Sequence, residues 1–137
     1  MREQINIMIM VDSIKALVDQ SLEGNCFMVD DSCFFSKQKG TLYLDTQCIP
    51  DQKIHWTVKA VDVQTPVSIK QISFEPYQVY FNTTHVDNLD ALVWNGIVPY
   101  VGSKQMTYKY KIVLQIGKGK KSRLATFTPS LTILPPY

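Results

Sequence analysis

The chain is expected to fold as an all-β protein, an antiparallel sandwich of jelly-roll or immunoglobulin-like type, with about seven to nine strands and one short N-terminal helix. Three observations carry this expectation. Met106, Tyr108, Tyr110, Ile112, Leu114 and Ile116 alternate with Thr107, Lys109, Lys111, Val113 and Gln115, the period of a strand with one face buried and one wet. Segments of this kind recur about every 8–15 residues, bounded by Gly, Pro, Asn and Asp. Only one stretch has helical spacing, so the βαβ rhythm of a parallel sheet is missing. At 137 residues the chain has room for one domain, covering positions 1–137.

The first strand is expected over residues 4–12, with Ile5, Ile7, Ile9 and Val11 on one face and Asn6, Met8, Met10 and Asp12 on the other. The period then changes. Ile14, Leu17, Val18 and Leu22 are spaced for one side of a helix, with Asp12 or Ser13 as its cap and Gly24-Asn25 as its stop. NCFMVDD is a short strand, DSCFFSKQKG is irregular, and TLYLD is a further strand closed by Pro50-Asp51. In KIHWTVKAVDV the apolar parity runs through Ile54, Trp56, Val58 and Ala60 and then slips to Val61 and Val63, as at a bulge or a strand end buried on both faces. PVSIKQISFEP slips in the same way, from Val67 and Ile69 to Ile72 and Phe74. YQVYF reads as a short strand, NTTHVDNLDA as a loop, and ALVWNGIVPYVG as extended chain with turn signals at Asn95-Gly96 and Pro99. After GKGKKS a returning strand carries Phe127, Leu131 and Ile133, with Pro129 at a bulge or an edge.

The composition narrows the function classes. A net charge of +2 gives no ground for nucleic-acid binding, and no run approaches the ~20 apolar residues of a membrane helix. MREQINIMIMVDS lacks the features of a secretory leader, so the expected location is the cytoplasm. Cys26, Cys33 and Cys48 are odd in number and form no CxxC pair, so free thiols are expected rather than a disulfide framework or a zinc site.

Candidate sites are few. Lys118, Lys120, Lys121 and Arg123 surround Gly117 and Gly119. Backbone donors with four cations suit phosphate or an acidic surface; glycines at a turn with lysines keeping it soluble suit a plain hairpin tip. The GK[ST] spacing of a phosphate loop is absent, and the tyrosines of the adjoining strand face away from Lys109 and Lys111, so no stacking platform for single-stranded nucleic acid results. The plain hairpin tip is therefore preferred, and nucleic acid is not expected as a partner. Trp94 beside Asn95-Gly96, together with Tyr100, His85, Asp87 and Asp90, forms the candidate ligand or interface region. Exposed aromatics beside loop acids would suit a glycan or a second copy of the chain. His55 and His85 lack an evident nucleophile or acidic partner, and Cys33 sits in no catalytic signature. No catalytic residue, metal or cofactor is expected.

Taken in order, INIMIMVDSIKALV, GTLYL, KIHWTVKAVDV, PVSIKQISF, VWNGIVPYVGSKQMTYKYKIVLQI and TFTPSLTI resemble the PixA/AidA-type bacterial inclusion body proteins over nearly the whole chain. The resemblance departs at two places: the loop after the first helix and the segment before Trp94 are shorter here. It implies a small β-sandwich protein that is not an enzyme, under stationary-phase or cell-density control, which self-associates into a homo-oligomer or larger inclusion. It supplies no catalytic residue. A lectin-like module using Trp94, Tyr100 and the acids near residues 85–90 is the alternative. Under the first reading the Met- and Ile-rich opening strand is an edge available for pairing.

Overall fold

A computed structural model describes residues 3–85 and 92–135. In chain order its elements are β1 (Gln4–Val11), α1 (Ser13–Asp19), β2 (Cys26–Asp30), β3 (Asp45–Cys48), β4 (Lys53–Ala60), β5 (Val67–Ser73), β6 (Thr83–His85), β7 (Val93–Ile97), β8 (Met106–Lys109), β9 (Lys111–Ile116), β10 (Arg123–Phe127) and β11 (Ser130–Ile133). A single 3-10 turn, Gly119–Lys121, sits between β9 and β10. Among the described residues the chain is thus mainly β with one α-helix. The described strands exceed the expected seven to nine because two long segments are each divided.

The strands form three sheets, ordered β2-β1-β4-β7-β6, β10-β9-β5 and β3-β11-β8. Two pairings are parallel, β1 with β4 and β3 with β11, so two of the sheets are mixed, while β10-β9-β5 is antiparallel throughout. In β1, Ile5, Ile7, Ile9 and Val11 are buried and lie opposite Ile54, Trp56, Val58 and Ala60 of β4. One apolar cluster draws on all three sheets. Its aromatic centre is Trp56, Phe74, Phe81 and Tyr110. Phe74 stacks on both Phe81 and Tyr110 at 4.5 and 4.6 Å, and Trp56 meets Tyr110 edge-on at 5.9 Å. Two indoles tie elements from different sheets: Trp56 Nε1 donates to Tyr110 Oη at 3.1 Å, and Trp94 Nε1 donates to the Ile69 carbonyl at 3.2 Å. Burial of an amphipathic ring is tolerated here because each N–H has an acceptor.

The alternating segment from Met106 to Ile116 is one run in sequence and two strands in space. β8 pairs with β11, β9 pairs with β10 and β5, and the changeover falls at Tyr110, whose N–H donates to the Pro129 carbonyl. The returning chain breaks at the matching place, Thr128-Pro129, because proline has no N–H to give a ladder. The strand pair therefore crosses from one sheet to the next as a unit.

Several local expectations are corrected. The buried side of α1 is Ser13, Ala16 and half-buried Leu17, while Ile14 and Val18 point to solvent. Small residues allow a two-turn helix to sit close to the strands. Asp12 caps it, accepting from the Lys15 N–H, and Gln20 ends it in the left-handed conformation, ahead of Gly24. TLYLD is not a ladder strand: the Thr41 hydroxyl donates to the Gln38 carbonyl and accepts from the Tyr43 N–H, a local turn that competes with pairing and delays β3 to Asp45. Leu42 and Leu44 are buried all the same. Val61 and Val63 are exposed on a turn in which Asp62 accepts from the Gln64 N–H, so the parity slip after Ala60 marks the strand's end and not a bulge. The second slip is a bulge: the β5–β9 register shifts between Ile69 and Gln71. YQVYF is a turn, and Thr83–His85, expected as loop, is an edge strand. Asn95-Gly96 is interior to β7. A side chain at Gly96 would lie 2.6 Å from the Phe81 ring and 2.7 Å from the Asn82 carbonyl, so the glycine serves close packing and not a turn.

Candidate functional site

The outward side of the five-stranded sheet is the most distinctive surface. β1 is not an edge: β2 and β4 flank it and satisfy its backbone on both sides. The expectation that it pairs through a free edge is thereby corrected, since β2 and β6 hold the edges. What β1 offers is side chains. Met8 stands opposite Val29, and Met10 opposite Phe27. These four are 42, 40, 38 and 43% exposed, respectively. Cross-strand neighbours on one face lie within contact reach, so the four make one apolar patch. Thr57 and Lys59 of β4 border it. The next rung is polar: Asn6 stands beside His55, and His55 opposite Asn95. The Asn6 N–H and side-chain amide both donate to Asp31. His55 Nδ1 is buried without a hydrogen-bond partner among the described residues, and burial first, then Lys53, hold its pKa below the ordinary range.

Met8 and Met10 were legible as the outer face of a strand, but Phe27 and Val29 were missed as their partners. NCFMVDD carries four apolar residues in a row, Cys26 to Val29, so its sequence does not show which of them face outward. Only the register, which sequence does not state, shows that the two sets coincide.

Of the other candidates among the described residues, Trp94 and His85 meet. Trp94 is 8% exposed, with its N–H committed to Ile69 and its ring edge against His85 at 5.8 Å, so it packs in the core and offers no stacking face. Tyr100 is exposed on a loop. Asp87 and Asp90 lie outside the described residues. Lys118, Lys120, Lys121 and Arg123 are all exposed at the tip of the β9–β10 hairpin, where Gly117 and Gly119 adopt positive φ. The glycines make the turn and the cations are solvated, and no aromatic ring lines this tip.

Burial pushes the Cys26 thiol up to about 12, and burial, with smaller contributions from Asp30 and Asp45, raises Cys48, the reverse of an activated nucleophile. Cys33 is exposed. Burial likewise raises the Tyr110 hydroxyl, which keeps it a neutral partner for Trp56. Among the described residues no group of three or more His, Cys, Asp or Glu is placed to hold a metal ion. No helix in the described chain is long and apolar enough to cross a membrane.

The fold and this surface define a mainly-β protein with an apolar patch on the outer face of its five-stranded sheet. The chain belongs to the family described as Domain of unknown function (DUF8788), whose model matches residues 3–122. It is similar in structure to the crystal structure of an inclusion body protein (PixA) from Burkholderia cenocepacia J2315, with a TM-score of 0.60 at 10% sequence identity, covering 96% of this chain and 94% of that one. At that identity the likeness is one of fold. No curated protein matches the sequence.

Proposed function

We propose that this chain is a non-enzymatic, cytoplasmic protein of the inclusion-body type that associates with copies of itself through the outer face of its five-stranded sheet. Its architecture in this reading is a β-sandwich: the five-stranded sheet is one layer, and the two three-stranded sheets, joined by the crossing strand pair, are the other. The observation that carries the functional reading is the patch of Met8, Met10, Phe27 and Val29, half-exposed apolar side chains standing in register on adjacent strands. The likeness in fold to an inclusion body protein supports a second copy as the occupant. Flexible Met side chains adapt to a second, identical surface without demanding one fixed fit.

Light scattering coupled to size exclusion tests this. The protein is expected to run as a dimer or larger particle, and the Met10→Lys, Val29→Lys double variant as a folded monomer with an unchanged far-UV spectrum. A monomer at every concentration up to the solubility limit, or a double variant that associates like the parent, overturns the proposal.

A further inference from the structure

We propose that the free edge of β10 is a docking site for an extended peptide of another protein, one that adds a strand antiparallel to β10 and ends in an acidic residue. β10 is the outer strand of the β10-β9-β5 sheet, and from Arg123 to Phe127 its backbone makes no hydrogen bond to any described residue other than those of β9. Beside it runs a groove of about 520 Å³ between this edge and α1. Ile116, Phe127, Leu22 and Leu42 lie buried along the groove, and Leu17 and Leu124 form its lips, Leu124 at 68% exposure. Unpaired strand backbone beside a partly apolar groove is the chemistry of strand addition: main-chain hydrogen bonds supply affinity, and the groove receives side chains of the guest. The five residues of β10 span roughly 17 Å, which sets the guest at about the same length.

Charge bears on the chemistry of the guest. Arg123 stands at the start of β10 and lines the groove, and its guanidinium donates only to the neighbouring Ser122 carbonyl among the described residues; Glu23, the carboxylate in the same lining, accepts from the Tyr43 hydroxyl. Lys118, Lys120 and Lys121 lie just beyond on the hairpin tip. A guest antiparallel to β10 brings its C-terminal end to these cations, so an acidic residue there is favoured. This site lies on a different sheet from the Met8 patch and does not depend on self-association.

The probe is the synthetic peptide acetyl-Thr-Val-Thr-Val-Thr-Val-Glu, titrated into the 15N-labelled full chain and followed by amide chemical shifts. Shifts confined to residues 123–127 and to α1 with its following loop are expected. A peptide with a C-terminal Lys should bind about two- to fivefold more weakly, the size of an exposed charge pair. Arg123→Glu should reverse that preference while leaving the remaining spectrum in place. A peptide N-methylated at alternate residues should not bind. No shift at about 1 mM peptide, equal binding of the methylated peptide, or peptide-independent, concentration-dependent shifts showing β10 paired with a second copy would each overturn the proposal.

Discussion

Replacing Tyr110 with Phe removes one oxygen atom from the centre of the protein. Trp56 and Tyr110 are both buried, and the 3.1 Å bond between them is the one acceptor given to the Trp56 N–H. Phe keeps the ring that stacks on Phe74, so packing changes little and the loss is that of a buried donor left without a partner. That penalty is about 1–3 kcal/mol. For a chain of 137 residues each kcal/mol corresponds to about 3–4 °C in melting temperature, so Tm should fall by about 3–12 °C. Urea unfolding at constant m-value, together with differential scanning calorimetry, measures it. A double-mutant cycle with Trp56→Phe isolates the pair. The double variant should be less destabilised than the sum of the singles by about 1 kcal/mol, because the second change removes the orphaned donor. A Tyr110→Phe variant within about 0.3 kcal/mol of the parent, or strictly additive singles, would show that the bond does not hold the two sheets together.

Gly96→Ala should cost about 1–3 kcal/mol, read as a shift in the urea midpoint, because the new methyl meets the Phe81 ring and the Asn82 carbonyl at 2.6 and 2.7 Å. In the native protein a thiol reagent should modify Cys33 rapidly and leave Cys26 and Cys48 untouched until the chain is unfolded, when all three react. His55 has its folded pKa below its ordinary value of 6.5, so its contribution to stability is present above that pH and is lost as pH falls below it. Stability measured at about pH 7.5 and about pH 5 should therefore decline toward acid, and His55→Gln should flatten that decline.

The residues that were easiest to read are those whose period and burial agree. Ile5 to Val11, Ile54 to Val58 and Tyr108 to Ile116 alternate strictly and are buried as expected. Where local hydrogen bonding competes with alternation, pattern misleads. The Thr41 hydroxyl turns TLYLD away from a ladder although Leu42 and Leu44 are buried, and the Asp62 carboxylate ends β4 before Val61. Asn95-Gly96 has the composition of a turn, yet the glycine is there to admit Phe81, which no local signal announces. The surface patch was half legible, because one strand shows which side chains face outward and only the pairing of two strands shows which of them meet. Trp94 illustrates the same gap, since nothing in its neighbourhood in sequence points to a carbonyl at Ile69.

The pairing of β3 with β11 bears on how the molecule is made. Asp45 to Cys48 find their parallel neighbour only at Ser130 to Ile133, and β8 needs that same segment. Joining them closes a long loop, whose entropic cost comes before any contact of the sheet repays it. β11 thus acts as a latch: the three-stranded sheet it centres is expected to close late in folding, after the more local strand pairs have formed.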